Sequence, residues 1–290
     1  MNAVLDMLAR RNPRTRGEYE YALKQIIQEI ALLGLWRGKF FEKAAFYGGS
    51  ALRIFHGLDR FSEDLDFSLL RRSDGFDLAD YFPFIVRELE GFGFDVEITM
   101  KEKNASGDVD TAFVKANTLV HFIKVGVPAD IRDNVPANRL SKLKFEIDND
   151  PPSGFEVESR FALEPVPFSV VLYTPPSLFA GKMHALLCRS WKSRVKGRDW
   201  YDFYWFVKNN TPLDLFHLEK RMEQSGHLEA GKPLSRAVFT RLLSDRIGSV
   251  DFSMAKKDVA PFLRDAGALE VWSAEFFLDV SRRIGFRIED

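Results

Sequence analysis

Two short runs carry residues suited to phosphate and metal chemistry. They are Gly48-Gly49-Ser50 and Asp64-Leu65-Asp66, the second inside Arg60-Phe61-Ser62-Glu63-Asp64-Leu65-Asp66-Phe67. Side chains alternate along a strand, so Asp64 and Asp66 project to one face while Leu65, Phe67 and Leu69 project to the other. Paired carboxylates repel unless a cation lies between them, and their hard oxygens suit Mg²⁺. Adjacent glycines let a backbone approach a phosphate closely. Ser50 is placed to cap a helix over residues 51–56, whose first amides would favour an anion. An isolated Asp-x-Asp fits a solvated strand edge equally well. The Gly-Gly-Ser run changes that balance, because only one short helix, closed by Gly57, and the turn Leu58-Asp59-Arg60 separate the two runs.

Other candidates lie further along the chain. In Leu143-Lys144-Phe145-Glu146-Ile147-Asp148, alternation sends Leu143, Phe145 and Ile147 inward and leaves Lys144, Glu146 and Asp148 on the other face. A helix beginning after Pro175-Pro176, with Ser177 as its cap, puts Lys182 among apolar neighbours. Such a lysine needs an anion or a route for its ammonium to water. Asp199 and Asp202 share one side of the next helix, where either can pair with Lys182 or Arg198 and Asp199 can also serve as a cap. Arg189, Lys192, Arg194, Lys196 and Arg198 cluster beside Trp191 and Trp200, a composition open to two readings: an RNA-binding patch with stacking tryptophans, or a solvated helix end.

The strand, Gly-Gly-Ser, helix, Asp-x-Asp arrangement resembles that of DNA polymerase β-like nucleotidyltransferases. The runs Gly48-Gly49-Ser50-Ala51-Leu52-Arg53 and Gly57-Leu58-Asp59-Arg60-Phe61-Ser62-Glu63-Asp64-Leu65-Asp66-Phe67 resemble the signature of the AbiEii/AbiGii nucleotidyltransferase toxin family. Lys182, and later Lys196-Gly197-Arg198-Asp199-Trp200-Tyr201-Asp202, are similar to that family's second set of motifs.

The resemblance implies transfer of a nucleoside monophosphate from an NTP to an acceptor hydroxyl. Asp64 and Asp66 would hold two Mg²⁺ ions with a third carboxylate, either Glu146 or Asp148. Gly48, Gly49 and Ser50 would bind the triphosphate, with Ser62 touching the nucleotide or metal shell. Lys182 would offset phosphate charge, and Asp199, then Asp202, would complete the site. It also implies the toxin of a type IV-like toxin–antitoxin or phage-defence system, with an antitoxin encoded nearby and an RNA, tRNA first, as acceptor. A protein or small-molecule acceptor, or a nucleotide-binding regulator without turnover, are the alternatives.

The elements needed to position these residues are legible in the 290-residue chain. A helix is expected over residues 18–33 and another over 78–91. Strands are expected over 94–100, 111–115, 121–125, 142–148, 155–161 and 168–173, and helices beyond 176, including 178–190 and 199–207. The pattern is α+β with a mixed sheet, divided into a nucleotidyltransferase core over residues 1–175 and a helical lobe over 176–290 that completes the active-site cleft. Arg10, Arg11, Arg14 and Arg16 read as a solvated lead-in.

A hydrophobic content of 46% supports a sizeable core, and the net charge of −1 gives no general bias toward nucleic acid. The single cysteine, Cys188, excludes an intramolecular disulfide and reads as a small buried residue in a reducing compartment. Without a signal-like or membrane-length apolar run, the expected location is the cytoplasm, away from membranes. His56, His121, His184, His217 and His227 show no metal-binding spacing and read as packing or surface residues.

Overall fold

The computed structural model describes residues 3–73, 75–101, 109–118, 127–132, 135, 138, 140–190 and 195–287. Helix α1 (Ala3–Arg11) forms because Val4, Met7 and Leu8, at i, i+3 and i+4, give it one apolar face, and all three are buried. The expected lead-in is therefore helical as far as Arg11, while Arg10 and Arg14 are exposed as expected. Arg11 pairs with Glu29 and Glu164, Arg10 with Glu164 at 2.5 Å, and Arg16, already inside the next helix, with Glu20 at 3.0 Å. Burial pushes the Glu29 carboxyl above its ordinary value, and the Arg11 charge opposes that rise.

Helix α2 (Arg16–Arg37) is longer at both ends than the expected 18–33. The Thr15 side chain accepts from the Glu18 amide at 3.3 Å while the Glu18 carboxylate accepts from the Thr15 amide at 3.1 Å, a reciprocal cap that satisfies two end donors. From Ile26 to Leu35 every residue of α2 is buried, so it runs through the core of its unit.

Then come β1 (Ala44–Tyr47), α3 (Gly48–His56), β2 (Leu65–Leu69), α4 (Phe82–Gly91), β3 (Val96–Met100) and β4 (Val109–Asn117). After a single turn, α5 (Ala129–Arg132), follow β5 (Leu140–Asp148), β6 (Val157–Ala162) and β7 (Phe168–Tyr173). The strand expected over 121–125 lies outside the described residues. The seven strands form one mixed sheet in the order β3-β4-β5-β2-β1-β7-β6. β2 runs antiparallel to β1 and parallel to β5, while β1 runs parallel to β7. The expected α+β class with a mixed sheet is the observed one.

The chain forms two compact units. The first comprises Met1–Gly57, Phe61–Pro151 and Glu158–Leu172, and the second Leu58–Arg60, Pro152–Val157 and Tyr173–Asp290. Beyond β7 the second unit is helical: α6 (Pro175–Cys188), α7 (Gly197–Lys208), α8 (Leu215–Gln224), α9 (Arg236–Gly248), α10 (Phe252–Val259) and α11 (Ala274–Ser281).

Its core gathers around Trp200, Phe203 and Phe206, spaced by three on α7 and fully buried. Trp200 meets Phe252 and Phe277 edge-on at centroid distances of 5.1 and 4.9 Å. α10 also approaches α7 closely, because a side chain at Gly197 would place its Cβ 1.9 Å from the Ala255 carbonyl oxygen. Among the described residues, no helix is long and apolar enough to cross a membrane.

Candidate active site

In the first unit, β2 and β5 pair in parallel with Asp66 opposite Glu146 and Ser68 opposite Asp148. In-register neighbours on adjacent strands project to the same face, so the pairing sets the Asp66 and Glu146 carboxylates side by side. The other face is apolar and closed: Leu65, Phe67, Phe145 and Ile147 are at most 1% exposed. Asp148 lies one pleat further along that face, and its Oδ1 accepts from the Asp150 amide at 3.1 Å, a local turn contact. Register thus favours Glu146 over Asp148 as the neighbour of Asp66. Lys144 stands on the same face with its Nζ 2.5 Å from Glu146 Oε1.

Gly48 explains why glycine precedes the helix. Its φ is +82°, a conformation L side chains rarely adopt, and a Cβ there would lie 2.3 Å from Asp66 Oδ2. The backbone turn is therefore pressed against the carboxylate. Helix α3 begins at Gly48, with Tyr47 in the capping position and no side-chain cap, so the expected start at residue 51 is corrected and Ser50 is not its cap. Gly49 is buried in the first turn, and the helix stops as expected at Gly57, whose φ is +76°.

Ser50 is fully buried. Its Oγ donates to the Asp64 carbonyl at 2.5 Å and accepts from Gln28 Nε2 at 3.2 Å. The hydroxyl is thus engaged in fixing the main chain at Asp64. Gln28 Nε2 also reaches the Ser62 carbonyl at 3.4 Å. Strand β2 starts only at Leu65, so Ser62 and Asp64 precede it, and strand alternation fixes the direction of neither, unlike the expectation that Asp64 and Asp66 share a strand face. Lys24 Nζ, from α2, pairs with Glu63 Oε1 at 2.6 Å, and the Phe61 ring stacks on Tyr21 with centroids 4.3 Å apart. Helix α2 thereby holds the approach to both aspartates.

The second unit contains Lys182, Asp199 and Asp202. Asp202, on α7, is fully buried: its Oδ1 accepts from Arg60 Nε at 2.6 Å, and its Oδ2 from Arg60 Nη2 at 2.7 Å and Lys182 Nζ at 2.8 Å. A carboxylate gripped by both prongs of a guanidinium is a strong, directional arrangement. Burial pushes the Asp202 carboxyl up, but the charges and hydrogen bonds of Arg60 and Lys182 outweigh it and hold it below the ordinary value. Asp199 Oδ2 accepts from Arg189 Nη1 at 3.0 Å; burial raises its carboxyl above the ordinary value, against the pull of Arg189 and Lys182.

Helix α7 starts at Gly197, two residues before Asp199, so Asp199 does not cap it. Ser177 likewise lies inside α6, after Thr174 and the two prolines, where its Oγ accepts from the Glu156 amide at 3.0 Å. The expectation of stacking tryptophans fails at Trp200, which is enclosed in the helical core; Trp191, Lys192 and Arg194 lie outside the described residues. Arg198 lies over the Phe262 ring, 4.1 Å from its centroid.

With this geometry in hand, comparison with known families is informative. A family model described as nucleotidyl transferase AbiEii toxin, type IV toxin–antitoxin system, matches residues 30–280. The chain belongs to the AbiEii family. AbiEii membership makes it a nucleotidyl transferase of the toxin–antitoxin type and agrees with the resemblance carried by the two motifs. Among curated proteins none matches. Of solved structures, JHP933 from Helicobacter pylori is 18% identical with a TM-score of 0.49, over 88% of each chain. A second H. pylori structure, described as a candidate nucleotidyltransferase, is 19% identical with a TM-score of 0.45, over 90% of each chain.

Two positions in this AbiEii-family chain escaped the sequence reading. Gln28 is a wholly buried amide in α2, next to the buried Glu29, and a polar pair interrupting an otherwise apolar run is its available signal. Arg60, four residues before Asp64, is 3% exposed, and nothing in its local sequence distinguishes it from a surface arginine.

Proposed function

We propose that the first unit carries the nucleotidyl-transfer chemistry on the β2–β5 face, with Asp64, Asp66 and Glu146 as ligands of Mg²⁺. The observation that carries this reading is the Asp66–Glu146 register, backed by the close approach of Gly48. The donor set is all carboxylate oxygen, which suits a hard cation, and the Lys144 ammonium now paired with Glu146 would have to give way to it. Bound Mg²⁺ would neutralise charge on the triphosphate and stabilise the attacking and leaving oxygens. The acceptor oxygen bonds to the α-phosphorus, the bond from that phosphorus to the bridging oxygen breaks, and pyrophosphate leaves while the acceptor proton passes to solvent. The main-chain amides at the start of α3 would bind phosphate oxygens, since no side chain caps that end. Ser50 acts indirectly, by holding the Asp64 carbonyl. In this reading the acceptor is an RNA, tRNA first, and the modification arrests growth.

The test is incubation of the protein with each α-labelled NTP, Mg²⁺ and total tRNA. Label is expected on tRNA, and Asp66→Asn should lower the rate at least about a hundredfold while leaving the thermal melt in place. Label on the protein or a small molecule would replace the RNA acceptor. NTP binding without transfer to any acceptor, or full transfer by Asp66→Asn, would refute the catalytic reading.

A further inference from the structure

Three ligand-type side chains of the second unit converge where α6 meets the segment after α8. His184 and Cys188 stand one turn apart on α6, and His227 follows the end of α8. One ligand atom from each lies within 4.8 Å of the other two. The imidazoles also face a common centre: His184 Nε2 and His227 Nδ1 each lie 2.9 Å from Ser225 Oγ. The one Ser225 proton has three acceptors in reach, the two rings and the Met222 carbonyl at 3.3 Å, so at least one ring must itself donate to the hydroxyl oxygen. Both rings are thereby turned with a nitrogen toward the same small volume.

We propose that His184, Cys188 and His227 form a zinc site, with water in the fourth position. Two imidazoles and one thiolate make a borderline-soft donor set that Zn²⁺ takes and Mg²⁺ does not. Zinc–nitrogen bonds of about 2.0 Å and zinc–sulfur bonds of about 2.3 Å put tetrahedral donors roughly 3.5 Å apart. The three ligand atoms lie within 4.8 Å of one another, so the site must draw in by up to about 1.3 Å, and the exposed His227 is the ligand placed to move. On binding, the S–H proton leaves to solvent as the sulfur–zinc bond forms. The ion would join α6 to the segment after α8. This inference is independent of the carboxylate face, whose oxygens select a different metal class.

The test uses the full chain, stripped with chelator and kept reduced, titrated with Co²⁺ and then Zn²⁺. Expected is one Co²⁺ per chain with a near-ultraviolet thiolate-to-cobalt charge-transfer band and visible bands of tetrahedral intensity, both abolished by one equivalent of Zn²⁺. Cys188→Ser should eliminate the ultraviolet band. His227→Ala, a change on the surface, should weaken zinc binding at least about tenfold and remove the zinc-induced rise in melting temperature. Asp66→Asn should leave all of these unchanged, so the outcome is separate from that of the transferase assay. No stoichiometric band, or zinc binding unaltered by His227→Ala in a folded protein, would overturn the proposal.

Discussion

Replacing Asp202 with Asn tests the buried charge cluster of the second unit. The carboxylate is fully enclosed and meets three donors: two from Arg60, itself 3% exposed, and the Lys182 ammonium. Asparagine keeps one acceptor oxygen but turns the other position into a donor facing donors, and it removes the charge that offsets two cations. Breaking a buried pair from one side costs about 3–5 kcal/mol. Because the second cation shares the same oxygen, the upper part of that range, about 4–5 kcal/mol, is expected. At about 2–4 °C per kcal/mol, the melting temperature should fall by roughly 8–20 °C.

Tryptophan fluorescence during urea unfolding is the appropriate assay, because Trp200, Trp205 and Trp272 all lie in the second unit. A companion variant, Arg60→Met and Lys182→Met with Asp202→Leu, should recover most of the loss, since apolar replacement of every member of a buried ionic cluster is close to neutral. The sign with pH follows from the depressed carboxyl: its stabilisation is present above the ordinary aspartate value of 3.8 and is lost as pH falls through the lower folded value. The gap between wild type and Asp202→Asn should therefore close in strong acid. A loss below about 1 kcal/mol at neutral pH would refute the assignment of Asp202 as the carboxylate that neutralises Arg60.

Three further outcomes are expected. Gly48→Ala should cost about 1–2 kcal/mol through its left-handed backbone and lower transfer about a hundredfold by displacing Asp66, measured by melts and the labelled-NTP assay; near-wild-type activity would remove Gly48 from the site. Gly197→Ala should destabilise the second unit by about 1–3 kcal/mol by forcing α7 from Ala255, read by urea midpoint, and an unchanged midpoint would contradict that close packing. Burial lowers both His56 and His217 to about 4, so the unfolded chain takes up protons first as pH drops from about 6.5. Stability should fall across that window, and His217→Gln should flatten the dependence in urea unfolding run from neutral pH to pH 5.

The parts of the fold set by local pattern were legible in the sequence. Alternation in residues 142–148 foretold both the buried Leu143, Phe145 and Ile147 and the face bearing Glu146, because burial of one strand face fixes the other. The end of α3 at Gly57 followed from the same kind of local rule. What failed depended on partners distant in sequence. Ser50 looked like a cap, yet a carbonyl 14 residues on and an amide 22 residues back occupy its hydroxyl. Among the early arginines, Arg11 is drawn from solvent by the buried Glu29 and the partly exposed Glu164, partners 18 and 153 residues away. His184, Cys188 and His227 had no recognisable linear spacing because their meeting depends on how α8 returns to α6.

The parallel pairing of β2 with β5 has a consequence for how errors in the chain express themselves. A slip of one residue would present Phe145 or Ile147 to Asp66 in place of Glu146, and the same slip would turn Glu146 into the apolar interior. Misfolding and loss of the carboxylate pair are thus one event. If this face holds the metal as proposed, a chain with the wrong strand register would lose its ligands through its own hydrophobic pattern, and transfer would be confined to molecules that have completed their sheet.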